Sequence, residues 1–147
     1  MSSDYVRTMF REAVEDLLTS YAFTFIETIN RARAASELPI RWYTLDFPAA
    51  SSQRIGLGVP SLFRESGSAI VILFTEQQIT DATVTAAAEV IREQLTNWRD
   101  ASGQLRVLDA GPPSDLDGGD FRGAWYGVGV DLRYQFDHFV GASGVLP

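Results

Sequence analysis

From Tyr126 to Phe136 every second residue is apolar or aromatic: Tyr126, Val128, Val130, Leu132, Tyr134 and Phe136. Between them stand Gly127, Gly129, Asp131, Arg133 and Gln135. A period of two predicts a strand with one buried face, and the long in-phase run fixes its register, because a one-residue slip would expose the whole set. Gly123 to Phe136 is therefore expected to be a central or near-central strand. In Ser61 to Thr75 the segment Ala69-Ile-Val-Ile-Leu-Phe74 is apolar on both parities. That predicts a strand covered on both faces, by a helix on one and a partner chain on the other if not by this chain alone. Gly67 within it predicts a bulge or hairpin bend. Ile40 to Phe47 reads as a further strand, stopped by Pro48. Gln104 to Ala110 is the fourth, with Leu105, Val107 and Asp109 on one parity and Arg106, Leu108 and Ala110 on the other.

Two stretches carry helical spacing. Val6, Phe10, Ala13, Val14, Leu17 and Leu18 recur at steps of three and four, and Tyr21, Phe25, Ile29 and Ala32 continue the stripe. The spacing predicts a helix from Ser3 to about Ala35, capped by Ser3 or Asp4 and ended before Pro39. The alternative is a break near Thr19-Ser20 followed by a short strand from Tyr21 to Phe25. Val84, Ala87, Ala88, Ile91, Leu95 and Trp98 predict a second helix over about Asp81 to Asp100, terminated at Gly103. Ala49 to Pro60, which contains Gly56-Leu-Gly58, and Gly111 to Arg122 read as flexible loops, with a short strand around Arg54 to Leu57 as an option. Residues 140–147 read as a flexible tail. The order α, β, β, α, β, β predicts a single α+β domain over residues 1–147: a mainly antiparallel four- to five-stranded sheet with two helices packed on one face.

Composition narrows the function classes. The 147 residues suffice for one sizeable core. There is no cysteine, which removes disulfides, thiolate metal sites and cysteine nucleophiles. The formal charge is −7, and all twelve cations are Arg, scattered along the chain. A chain that grips nucleic acid usually shows a basic stripe, so sequence-specific DNA binding is not expected. The longest uncharged apolar run, Ser66 to Thr75, is shorter than the roughly 20 residues a membrane span needs, and the charged N-terminal residues give no expectation of secretion. No membrane partner is expected.

No catalytic motif stands out. Asp115-Leu-Asp117-Gly-Gly-Asp120 has carboxylates at a spacing reminiscent of a calcium loop, but lacks the further ligands and closing Glu of such a loop and reads as a solvated acidic stretch. His138 is the single histidine and reads as a surface or edge residue. Gly56-Leu-Gly58 and Gly127-Val-Gly129 are not followed by a phosphate-binding helix. Gly127 and Gly129 instead suggest close backbone approach. Trp42 and Trp98 read as core. Trp125 lies on the parity opposite to the core face, where it is either exposed at a partner interface or buried.

The motif order adds one further expectation. An N-terminal amphipathic helix is followed by Leu38-Pro-Ile-Arg-Trp-Tyr, the Pro-containing Phe47-Pro48, and Arg64-Glu-Ser-Gly67 leading into Ile70-Val-Ile-Leu-Phe. Then come an Ala-rich helix ending at Leu95-Thr-Asn-Trp98 and Gly123-Ala-Trp-Tyr entering the alternating strand. Over about residues 4 to 139 this order resembles the tail terminator proteins of long-tailed phages and phage-like gene transfer particles. The chain departs from that pattern at Ala49-Ala-Ser-Ser-Gln53, where a longer strand is expected, and at Glu76-Gln-Gln-Ile, where a Gly-rich turn is expected. The resemblance implies a structural assembly protein, not an enzyme, with no cofactor or metal. It implies a homo-hexameric ring that caps the tail tube and ends its growth. The same ring joins the tube to a head-neck connector or stopper protein, and DNA passes through its lumen without specific binding. It implies a place at the head–tail junction of the virion after synthesis in the host cytoplasm. Interface residues are expected in the two loops and beside them: Arg54, Arg64, Asp117, Asp120, Arg122 and Trp125. The rivals are another head–tail connector, such as a stopper or tail completion protein, and a small-molecule-binding α+β domain.

Overall fold

Two 16-residue strands pair antiparallel along their whole length, from Ser61 opposite Val140 to Glu76 opposite Trp125. The structure is a computed structural model that describes residues 3–26, 41–58, 60–76, 82–116 and 125–140. In chain order the elements are α1 (Asp4–Leu18), a 3-10 turn (Thr19–Tyr21), β1 (Thr24–Phe25), β2 (Arg41–Arg54), β3 (Ser61–Glu76), α2 (Ala82–Leu95), β4 (Leu105–Ala110), β5 (Ser114–Leu116) and β6 (Trp125–Val140). The sheet order is β1-β2-β3-β6-β4, and β5 also pairs with β6. Among the described residues only β1 and β2 run parallel; the other pairings are antiparallel. The fold is α+β, with the mostly antiparallel sheet that the alternation predicts.

Register carries the burial pattern across the sheet. Tyr43 lies opposite Leu73, which lies opposite Val128; Leu45, Val71 and Val130 form the next row. Ala69, Leu132 and Ala110 form a third, and Val107 lies opposite Tyr134. These side chains share one core cluster with Val6, Phe10, Val14 and Leu18 of α1 and with Val84, Ala87, Ala88, Ile91 and Leu95 of α2. The small Ala87 and Ala88 let α2 approach closely. Phe10 is the aromatic hub, with ring centroids 5.4 Å from Tyr134, 5.9 Å from Trp98 and 6.2 Å from Phe47. A buried polar node fixes the start of α1. Glu65 accepts the Tyr134 hydroxyl at 2.7 Å and the Ser3 backbone N–H at 3.2 Å. The Ser3 side chain in turn caps the helix by accepting the Val6 N–H at 3.4 Å.

Several boundaries differ from the expectation, each for a local reason. The first helix ends at Leu18, not near Ala35, because Ala22 takes a left-handed conformation (φ 58) that ends the 3-10 turn. Thr24 and Phe25 then pair with Trp42 and Tyr43, so the short-strand alternative is the one adopted; residues 27–35 of the expected helix lie outside the described residues. Pro48 does not stop β2. It sits at a bulge between Asp46 and Ala49, where its missing N–H disrupts no regular ladder bond, and Ala49–Arg54 continue as strand instead of loop. Gly67 is not itself at a bulge or bend. It pairs regularly with Ala50 and Tyr134, and a Cβ there would overlap the Ala49 carbonyl oxygen and lie 2.8 Å from the Tyr134 hydroxyl. The second helix ends at Leu95, with Asn97 (φ 63) as its left-handed terminator, while Gly103 (φ 73) serves the later Asp100–Leu105 turn. In β4 a bulge at Leu108 inverts the parity, so Ala110 joins the core and Asp109 faces solvent. Ser114–Leu116 form β5 where a loop was expected, and β6 extends to Val140 past the expected end of the strand.

Two substitutions test this packing. Gly67→Ala is expected to cost about 1–3 kcal/mol by overpacking, read as a lower thermal midpoint; an unchanged midpoint would contradict the close approach. Tyr43 is buried, and its hydroxyl has no hydrogen-bond partner among the described residues. Burial pushes its phenol from 10.0 up to about 12, with Glu15 adding to the rise and Arg11 opposing it. A raised folded value means that this contribution to stability is present below pH 10.0 and is lost as pH rises towards about 12. Tyr43→Phe should therefore raise stability at neutral pH by about 1 kcal/mol and remove that alkaline loss, read as denaturant midpoints at neutral and alkaline pH.

Candidate assembly interface

Beyond Phe136 the sheet narrows. The last β4–β6 pair is Leu105 with Phe136, whereas β3 and β6 continue through Arg64–Asp137, Phe63–His138 and Leu62–Phe139. With β2 they form a three-stranded arm, and no described residue from 50 to 64 belongs to the core cluster. The arm's turn is built locally. Ile55 and Gly56 donate backbone N–H bonds to Leu62 O, the Arg54 Nε donates to Gly56 O at 3.0 Å, and Ser61 Oγ donates to Gly58 O at 2.9 Å. At its end Leu57 is 93% exposed, and Ile55 and Phe139 are also exposed. An aromatic row leads to it from the core. Tyr5 stacks on Phe136 at 4.9 Å, Phe136 stacks on His138 at 4.9 Å, and Phe63 lies 6.4 Å from His138. His138 is half-buried and lies past the last β4 pairing, where β6 is the edge strand of the arm among the described residues, in keeping with the expected surface or edge position.

The sheet face opposite the helix-side core has two parts. One is apolar: Trp42 and Phe74 stack at 4.2 Å, with Ile26 and Ile72 packed against them. Gly127 and Gly129 lie opposite Phe74 and Ile72, so both glycines are buried beside bulky neighbours. The other is charged. Arg64 donates to both Asp137 oxygens at 2.8 and 3.0 Å, and Arg106 lies 3.7 Å from Asp137 while donating to Gln135 at 2.9 Å. The Arg64 hydrogen bond holds the Asp137 carboxyl below its ordinary value, against the opposite effect of burial.

The six expected interface residues fare differently. Arg54 is exposed on the arm, with its guanidinium shaping the turn. Arg64 is spent within the chain on Asp137 and is not a free surface cation. Trp125 opens β6 opposite Glu76 in backbone register. Asp117, Asp120 and Arg122 lie outside the described residues. The arrangement brings none of the first three into one cluster. Leu57 was missed although the two glycines that flank it, Gly56 and Gly58, leave its side chain without bulky neighbours in sequence. Also missed is a groove of about 190 Å³ between α1 and β2. Phe25, Leu45 and Phe47 form its apolar part, and Asp4, Arg7, Thr8 and Arg11 its polar part. The Arg7 guanidinium lies 5.3 Å from the Phe47 ring centroid and that of Arg11 4.3 Å from Phe25.

A second polar node closes the far end of α2. The Tyr5 hydroxyl donates to Asp100, Ser102 Oγ donates to both Asp100 oxygens at 2.9 and 2.8 Å, and the Leu105 N–H donates at 3.2 Å. Burial alone would push the Asp100 carboxyl up, but these donors together hold it below its ordinary value. Both Asp100 and Asp137 are thus depressed below 3.8, so their contributions are present above that pH and are lost as pH falls through the folded values. Asp100→Asn should cost about 1–3 kcal/mol at neutral pH and flatten the acid limb of a stability profile. Arg64→Ala, removing a partly exposed pair, should cost less than about 1 kcal/mol. Denaturant midpoints between neutral pH and pH 3 check both. No protein-family model matches the chain, and no curated protein matches it.

Proposed function

We propose that this chain is an assembly protein that builds a ring from copies of itself on the end of a phage-type tail tube, ending tube growth and offering a surface to the neck. The observation that carries the reading is the arm. A three-stranded extension, paired through the β3–β6 ladder, carries the turn on which Leu57 is 93% exposed. Ile55 bonds through its backbone to Leu62, which lies opposite Phe139, so exposed apolar side chains gather at this end of the sheet, and such a group is suited to contact with another molecule. The order of motifs supports the tail terminator version of this role, in which the partners are a second copy, the tail tube protein and a head-neck connector. The chain acts by binding, without a cofactor, at the head–tail junction. Its charge of −7 fits a lumen through which DNA slides without being held.

The test is tube capping. Added to tail tube protein during polymerisation, the purified chain should bind tube ends and shorten the length distribution seen in electron micrographs. Leu57→Asp should melt like the parent within about 0.5 kcal/mol, as exposed substitutions do, yet lose capping. Unchanged tube lengths with the parent chain would overturn the reading.

A further inference from the structure

The geometry points to a head-to-tail joint in which Leu57 on the arm of one copy seats in the α1–β2 groove of the next. The inference rests on the ring reading above and names its contact. The arm and the groove cannot meet within one chain, because β2 runs extended from Phe47 to Arg54, about 23 Å at 3.3 Å per residue. The sizes match. The groove has a volume of about 190 Å³, room for one Leu side chain, with Phe25, Leu45 and Phe47 on its apolar side and an open mouth.

The polar groups match as well. Arg54 is the sole charged residue from Phe47 to Phe63, and the groove carries Asp4, with the exposed Glu12, Glu15 and Asp16 further along α1. The Arg7 Nε is buried with no hydrogen-bond partner among the described residues, and neither Arg7 nor Arg11 has an ion pair among them. Their N–H groups can donate to turn carbonyls of an inserted arm. The groove also flanks the outer edge of β2, where β1 pairs with Trp42 and Tyr43 alone among the described residues. Because arm and groove are different patches, each copy offers one of each, and the contact propagates as a ring or a helix instead of closing as a two-fold dimer.

The absence of cysteine makes the joint directly testable. Thr8 is exposed on α1 beside the groove, and Leu57 is exposed on the arm, so Thr8→Cys and Leu57→Cys should both fold. The two single variants are mixed at a concentration where the parent assembles, or on tube ends, and oxidised mildly. The expected result is a mixed disulfide pair in good yield, with little product from either variant alone. A double variant carrying both changes should give a ladder of linked copies. Leu57-to-Leu57 linkage as the main product would overturn the joint in favour of a two-fold contact. Assembly of the parent into rings without the mixed disulfide would overturn the joint and leave the ring reading standing. Absence of any assembly, alone or on tubes, would sink both.

Discussion

The uninterrupted β3–β6 ladder is the constraint on which the rest depends. It sets the rows of core side chains, since each residue of Ala69, Val71 and Leu73 meets one of Leu132, Val130 and Val128. It brings Glu65 and Tyr134 together, and their hydrogen bond at 2.7 Å sets where α1 begins. It requires Gly67, because Tyr134 and the Ala49 carbonyl occupy the space a Cβ would need. It also runs past the end of β4, and that surplus length is the arm. One pairing thus makes both the core and the surface proposed for assembly.

How legible this was depended on how one-sided each element's burial is. The alternation in β6 was readable because Val128, Val130, Leu132, Tyr134 and Phe136 all face one core. The two-sided apolar run in β3 was also readable: Val71 and Leu73 face the helices while Phe74 and Ile72 meet Trp42 on the other side. The end of α1 was not, because Tyr21 and Phe25 keep helical spacing although tertiary pairing with β2 claims Phe25. Periodicity reports burial, and burial on a sheet edge mimics burial on a helix. Pro48 misled in the opposite direction. Proline breaks a regular ladder, but at a bulge on the sheet's outer side it costs no ladder bond.

The candidate surface was legible in part. Arg54 stands on the arm as a named residue, whereas nothing in the residue order signals that Arg64 and Asp137 lie in register and neutralise each other. Charge pairing across strands separated by 73 positions is set by register, which a single sequence shows only through its hydrophobic rows. The α1–β2 groove was illegible for the same reason: Arg7, Arg11, Phe25 and Phe47 acquire a common surface only once β1 turns back beside β2.

On the proposed reading, an arm and a groove on each copy make a joint that repeats, and such a repeat closes into a ring when its rotation allows and otherwise extends as a helix. The β3–β6 ladder ties the arm to the core of its own chain, which on that reading lets the fold set the angle between copies. The measurement that tests this most directly is the native mass of the purified chain across concentrations, with images of each species. The account predicts a discrete closed ring, a hexamer on the tail terminator reading, that grows in population with concentration and does not extend further. A two-fold dimer as the final species, or a strict monomer at every concentration that also leaves tube ends bare, would contradict it.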